Sequence, residues 1–264
     1  MSTLNCTLIQ TNLHWEDKAA NMRSIEKKME AISVGGQIIF LPEMFTTGFS
    51  MHPENLAEDM QGQTMNWMET MAVEKRSIIV GSFIAREAGN FYNRLVWMLP
   101  NGSYGYYDKR HLFAYAGENA KYSPGNKRLI AAVNGWRLNL TVCYDLRFPV
   151  WMRQQFEDEG DFEYDVLVCI ANWPEMRSQA WKTLLQARAI ENQCYVIGVN
   201  RVGTDGNDIY YSGDSMVIDP LGEVLFHKEH EEGIYTMHLD REHLETCRKR
   251  FPFGKDADGF VIKA

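Results

Sequence analysis

Apolar positions recur along this chain at two spacings, and the spacing changes in blocks. Residues 4–10 alternate between apolar and polar, which predicts a strand. Residues 17–33 carry Met22, Ile25, Met29 and Ile32 at helical spacing, and Gly35-Gly36 closes this amphipathic helix. Residues 37–41 are almost wholly apolar and stop at Pro42-Glu43, as a strand buried on both faces would. A loop through Gly48 and Pro53 leads to a helix over 61–75 and a strand over 78–85. This β-α-β-α-β rhythm argues for helices layered on a sheet.

The rhythm then changes. Strands over 92–99 and 103–108 flank the turn Pro100-Asn101-Gly102, and strands over 129–133 and 136–142 flank Asn134-Gly135. Alternation resumes with a helix over 150–157, a strand over 166–171, a helix over 179–192 and a strand over 195–202. Strands over 215–219, 223–226 and 234–239 come next, then a short helix over 241–250 and an irregular tail over 251–264. No fixed-period repeat and no low-complexity linker occurs. Hairpins mixed with β-α-β units predict an α/β protein with two mixed sheets and helices on the outer faces.

Composition narrows the possible functions. The chain has 264 residues, 45% of them hydrophobic, which suits a single large domain. A net charge of −8 without a basic stripe predicts neither nucleic acid nor an anionic membrane surface as partner. The five cysteines are scattered, with no C-x-x-C pair. That pattern suits a reducing compartment, and with no signal peptide or apolar run of roughly 18 residues it predicts a cytoplasmic protein.

One thiol stands apart. The run Leu140 to Val142 ends abruptly at Cys143, and Pro149 opens an amphipathic segment. Strand, sharp turn and helix N-terminus would place the thiol where unpaired N–H groups favour thiolate. A buried structural cysteine is the plainer alternative. Two further charged residues also sit where strands stop: Glu43 after IIFLP, and Lys109 after YGYYD. Singly, Glu43 could cap a loop and Lys109 could pair with Asp108 or Asp145. Together the three make a base, an electrostatic stabiliser and a nucleophile.

These contexts resemble the nitrilase superfamily of carbon–nitrogen hydrolases. Its Glu-Lys-Cys triad matches LPEMFTTGF at Glu43, YDKRHLF at Lys109 and TVCYDLRFP at Cys143, and YAGENAKYSPG puts Glu118 where the family has a second glutamate. ANWP, QARAIENQCYVIGVNRVG and SGDSMVIDPLGE also match, and the tail RFPFGKDAD resembles the omega-amidase branch. The resemblance implies a four-layer α-β-β-α sandwich. It divides the chain into a hydrolase domain over 1–240 and a helix and tail over 241–264, part of the same domain and packing on a partner in a homodimer. Phe251, Phe253, Phe260 and Ile262 give that tail apolar surface to cover.

The implied activity is a thiol-dependent, cofactor-free and metal-free amidase acting on a small carboxylate-bearing ω-amide, 2-oxoglutaramate or 2-oxosuccinamate. Cys143 would form the thioester, Glu43 would move the protons, and Lys109 with the backbone N–H of Tyr144 would hold the oxyanion. Glu118 would orient either Lys109 or the substrate amide. Arg147, four residues past Cys143, would read the carboxylate, unless it is a structural partner of Asp145 or Glu191. Asn172 and Trp173 would also contact substrate, Trp173 as an apolar wall or else as core. An N-carbamoyl compound or a nitrile would suit the same triad, and a non-catalytic thiol redox or binding module is the reading from another class. His227 and His230 read as exposed loop histidines, and Arg188 with Glu191 as a structural pair.

Overall fold

A computed structural model describes residues 3–155 and 162–262. In chain order the elements are β1 (Thr3–Gln10), α1 (Lys18–Met29), β2 (Gln37–Phe40), α2 (Pro53–Leu56), α3 (Gln63–Lys75), β3 (Ile78–Glu87), β4 (Asn90–Met98), β5 (Tyr104–Asp108), α4 (Glu118–Lys121), β6 (Leu129–Val133) and β7 (Trp136–Val142). Then come α5 (Pro149–Met152), β8 (Val166–Ala171), α6 (Ser178–Asn192), β9 (Tyr195–Asn200), β10 (Val202–Thr204), β11 (Tyr210–Ile218), β12 (Val224–Glu229), β13 (Gly233–Asp240) and α7 (Arg241–Arg250).

Two mixed sheets form, as the hairpins and crossovers predict. One has the order β13-β1-β2-β3-β4-β5; the other runs β10-β11-β9-β8-β7-β6, with β12 on β11. In each, three central strands are parallel and antiparallel strands flank them. Side-chain alternation explains the layers. Leu8, Ile38 and Phe40 point into the core between the sheets, while Ile9, Ile39 and Leu41 face an outer core completed by Met22, Ile25 and Met29 of α1 and Met65 and Met68 of α3. Helix α6 covers the second sheet with Trp181, Leu185 and Ala189. It packs closely there because Gly198 has no side chain; a Cβ would lie 2.5 Å from Leu185 Cδ1.

Several assignments differ from the sequence reading. The helix expected to reach residue 33 ends at Met29, where i→i−3 bonds from Ala31 and Ile32 tighten the chain. The strand expected over 195–202 breaks at the buried Arg201, so β10 is a separate strand. The helix expected over 150–157 spans only Pro149–Met152; residues 153–155 are not helical, and the remainder lies outside the described residues. His227 is not in a loop but on β12, where Nε2 meets Asp214 Oδ1 at 2.8 Å. Lys182 shares that oxygen at 3.2 Å.

Helix α7 belongs to the body of the fold. Leu244 joins the central core, and Arg248 pairs with Asp165 at 2.9 Å. Of the tail, Ile262 packs on the same core, while Phe253 stays exposed. Among the described residues no helix is long and apolar enough to cross a membrane.

Candidate active site

Three strands stop at one place between the sheets. β2 leads into Glu43 and β5 into Lys109 from the first sheet, and β7 leads into Cys143 from the second. The Lys109 N–H extends the pairing of β5 with β4 by donating to the Asn93 carbonyl at 3.0 Å. The Lys109 carbonyl accepts from Gly125, a position where a Cβ would collide with the Asp108 carbonyl oxygen at 2.0 Å. The lysine is thus held from both sides of its strand end.

Three of the charged side chains named from the sequence, Glu43, Lys109 and Glu118, meet. Lys109 Nζ lies 3.0 Å from Glu43 Oε1 and 3.0 and 2.9 Å from the two oxygens of Glu118. Glu43 and Glu118 are fully buried and Lys109 is 1% exposed, so solvent does not screen them. Burial alone pulls the Lys109 ammonium down, but Glu118 and then Glu43 outweigh it and hold the group well above its usual range. The ammonium therefore stays charged. Burial pushes the Glu118 carboxyl up, against the pull of Lys109. Glu118 also accepts from the Phe113 N–H at 2.5 Å. Both its oxygens face Lys109, which favours an orienter of the lysine over a substrate contact.

The alternatives weighed for these residues are otherwise engaged. Asp108 takes a bidentate contact from Arg94 at 2.7 and 2.9 Å. Asp145 accepts from the His111 N–H, from Tyr107 Oη at 2.7 Å and from the Val142 N–H at 3.1 Å. That last bond pins the turn carrying Cys143.

Cys143 has φ = +46°, uncommon for a residue with a side chain and typical of a sharp functional turn. Its Sγ contacts the Asn172 carbonyl at 3.8 Å. The expectation of a lowered thiol pKa fails here. Burial first, and the Glu43 carboxylate second, push the thiol well above its ordinary range, and Lys109 offsets only part of this. Nor does the local structure supply the expected counter-effect. Cys143 opens a short 3-10 turn that runs to Arg147, and the helix beyond it, α5, has only four residues, so no long helix aims its N-terminus at the sulfur. The resting group is a neutral thiol beside a carboxylate.

Asn93 was not singled out from the sequence. Its Nδ2 donates to Glu43 Oε1 at 2.7 Å and approaches Glu118 Oε1 at 3.4 Å. Nothing in the sequence marked it, because an amide within a strand is ordinary; only the fold shows it fully buried in the mostly apolar strand β4. Asn172 serves the same carboxylate: its N–H donates to Glu43 Oε2 at 2.7 Å and its Nδ2 to the Glu43 carbonyl at 2.5 Å. Its amide nitrogen is therefore committed to Glu43 and not free for substrate, although Asn172 still lines the cavity.

That cavity opens over Cys143 and Lys109, walled by Phe49, Phe113, Trp173 and Tyr211. Arg147 and Tyr144 also line it. The Arg147 guanidinium rests 4.9 Å from the Trp173 ring centroid. Its candidate structural partners are taken elsewhere, Asp145 by His111 at 2.8 Å and Glu191 by Arg188 at 3.0 Å. Trp173 is 4% exposed and donates from Nε1 to the Arg177 carbonyl. It is both wall and packing, with Trp181 5.4 Å behind it.

The sequence pattern of the family described as carbon-nitrogen hydrolase matches residues 6–249. The chain belongs to the carbon–nitrogen hydrolase family. Among relatives of this hydrolase, omega-amidase YafV of Escherichia coli is 43% identical over 99% of this chain and 100% of its own. The 2-oxoglutaramate amidase of Bacillus subtilis is 31% identical over 96% of both. A CN-hydrolase superfamily protein of Xanthomonas campestris, whose crystal structure carries an arsenic adduct in the active site, superposes with a TM-score of 0.97 over 100% of both chains at 43% identity. The fold is thus the α/β sandwich of this hydrolase family, with helices outside two mixed sheets.

Proposed function

We propose that this hydrolase is a thiol-dependent omega-amidase acting on small carboxylate-bearing ω-amides of the 2-oxoglutaramate and 2-oxosuccinamate type. The observation that carries the reading is Arg147, a guanidinium free of acidic partners among the described residues, in the same cavity as Cys143. The relatedness to proteins named omega-amidase and 2-oxoglutaramate amidase supports it.

The chemistry derives from the groups in place. Glu43 takes the thiol proton as Sγ attacks the amide carbon, which avoids a standing thiolate. The charge that develops on the carbonyl oxygen is met by the Lys109 ammonium and the Tyr144 N–H. Glu43 returns its proton to the departing nitrogen, the C–N bond breaks, and ammonia leaves a thioester. Glu43 then takes a proton from water, whose oxygen attacks the thioester; the C–S bond breaks, Glu43 returns the proton to Sγ, and the acid departs. Lys109 supplies the positive charge that faces the oxyanion, so the scheme calls on no metal or cofactor. Glu118 and Asn93 are positioning residues for Lys109 and Glu43.

Ammonia release from a panel of 2-oxo ω-amides, N-carbamoyl compounds and nitriles tests the reading directly. The 2-oxo ω-amides should give the highest kcat/KM; a carbamoyl compound or nitrile in that place would overturn the substrate class. A release rate at background throughout would favour a non-catalytic module.

Arg147→Lys should separate carboxylate reading from architecture. A lysine keeps the charge but loses the planar fork. Turnover of the carboxylate-bearing amide should fall on the order of tenfold or more, about 1.4 kcal/mol. A neutral amide should lose much less. Equal losses on both, with the fold intact, would make Arg147 a support of the site.

The same reading extends to the whole molecule. All five cysteines are free and buried, which suits the reducing cytoplasm. Phe253 and Val261, 60% and 86% exposed in the tail, support a homodimer in which the tail crosses to the partner. A monomeric mass in solution at high concentration would remove the dimer.

A further inference from the structure

The cavity over Cys143 carries a second guanidinium that the sequence reading passed over. Arg177 lies four residues beyond Trp173, at the N-terminal cap of α6, and lines the same cavity as Arg147. Its Cζ sits 5.2 Å from the Phe113 ring centroid. Its carbonyl accepts from Trp173 Nε1 at 2.8 Å, so its backbone is fixed to the ring on which Arg147 rests. Both arginines are half-buried, and neither meets a carboxylate among the described residues. None of the described residues lining the cavity is acidic. The Glu43 carboxylate is already occupied by Lys109, Asn93 and Asn172. The global charge of −8 makes two unpaired cations in one small cavity more pointed.

We propose that Arg177 is a specificity-determining residue that works with Arg147 on the acid end of the substrate, accepting a 2-oxo acid and rejecting its 2-amino counterpart. The proposal rests on the omega-amidase reading and deepens it. A 2-oxo acid presents adjacent acceptors only, its carboxylate and its carbonyl oxygen. Two guanidiniums offer donors only, so the two sets match. Glutamine or asparagine would instead bring an ammonium between two like charges with no free carboxylate to receive it. One arginine would suffice for a carboxylate. The second is what makes the pocket distinguish the neighbouring carbon.

Ammonia release from 2-oxoglutaramate, glutaramate and glutamine, compared in wild type, Arg177→Gln, Arg177→Lys and Arg147→Gln, tests this. Arg177→Gln should lower the 2-oxoglutaramate-to-glutamine ratio of kcat/KM on the order of tenfold or more. Its loss on glutaramate, which lacks the 2-oxo group, should be smaller than its loss on 2-oxoglutaramate. Arg177→Lys keeps the positive charge and should keep most of the discrimination against glutamine. Arg147→Gln should lower 2-oxoglutaramate and glutaramate together. If glutamine turnover is below detection, the inhibition constants of 2-oxoglutarate and glutamate against glutaramate supply the same ratio. A ratio unchanged in Arg177→Gln overturns the proposal, as does Arg177→Lys losing discrimination as fully as Arg177→Gln. A wild-type protein that prefers a neutral amide to 2-oxoglutaramate sinks the omega-amidase reading as well. An intact wild-type preference with an indifferent Arg177→Gln sinks only the role of Arg177.

Discussion

Cys143→Ala is expected to reduce ammonia release by a factor on the order of 10⁴ or more while the protein stays folded. No other thiol can substitute: Cys6, Cys169, Cys194 and Cys247 are all buried, and none lines the cavity. The fold should tolerate the change for two reasons. The backbone at φ = +46° already carries a Cβ, so alanine adds no strain. The sulfur's contact to the Asn172 carbonyl, at 3.8 Å, is weak. A thermal midpoint within about 5 °C of wild type would confirm that loss of activity is chemical and not structural. Residual turnover above roughly 1% in such a folded variant would require another nucleophile.

Glu43→Gln has a less obvious signature, because it should move two observables in opposite directions. Turnover should fall by about 10²- to 10⁴-fold, since one group handles the proton in thioester formation and again in its hydrolysis. The thiol, however, should become easier to ionise. Part of what holds Cys143 well above its ordinary pKa is the negative charge of Glu43. Glutamine removes that charge, and Lys109 then faces one carboxylate fewer and attracts a thiolate more strongly. The sign is therefore downward: the pH at which iodoacetamide alkylation of Cys143 reaches half its limiting rate should drop in the variant. A thiolate that forms more readily but cannot protonate its leaving amine is a poor amidase. Alkylation with an unchanged or raised midpoint would show that Glu43 does not act on the thiol through its charge. Wild-type turnover would remove it from the mechanism altogether.

Much of this protein is determined locally. Alternation over residues 4–10 and the apolar run over 37–41 yield β1 and β2 because one face or both must be buried wherever the chain goes. Asn134-Gly135 specifies the β6-β7 hairpin by turn chemistry alone; both residues have the positive φ that the turn demands. The positions of Glu43, Lys109 and Cys143 at strand ends are likewise read from where apolar runs stop. Local signals also mislead: Pro149 does open a helix, but only of four residues, and the charge effect expected from a long one is missing.

Tertiary structure decided what depends on distant neighbours. Cys143 looked like a thiolate in its own segment, but burial and Glu43, one hundred positions earlier in the chain, make it a neutral thiol. Arg147 had two candidate acidic partners; folding gave Asp145 to His111 and Tyr107, and Glu191 to Arg188, leaving the guanidinium to the cavity. Asn93 and Arg177 carried no distinguishing pattern, since an amide in a strand and an arginine before a helix are ordinary in isolation. Their significance comes from the carboxylate and the cavity they face. Hydrophobic periodicity fixes which side of an element is buried. Ionisation and recognition depend on which charges then share that burial, and only the packed sheets bring those charges within a few ångströms.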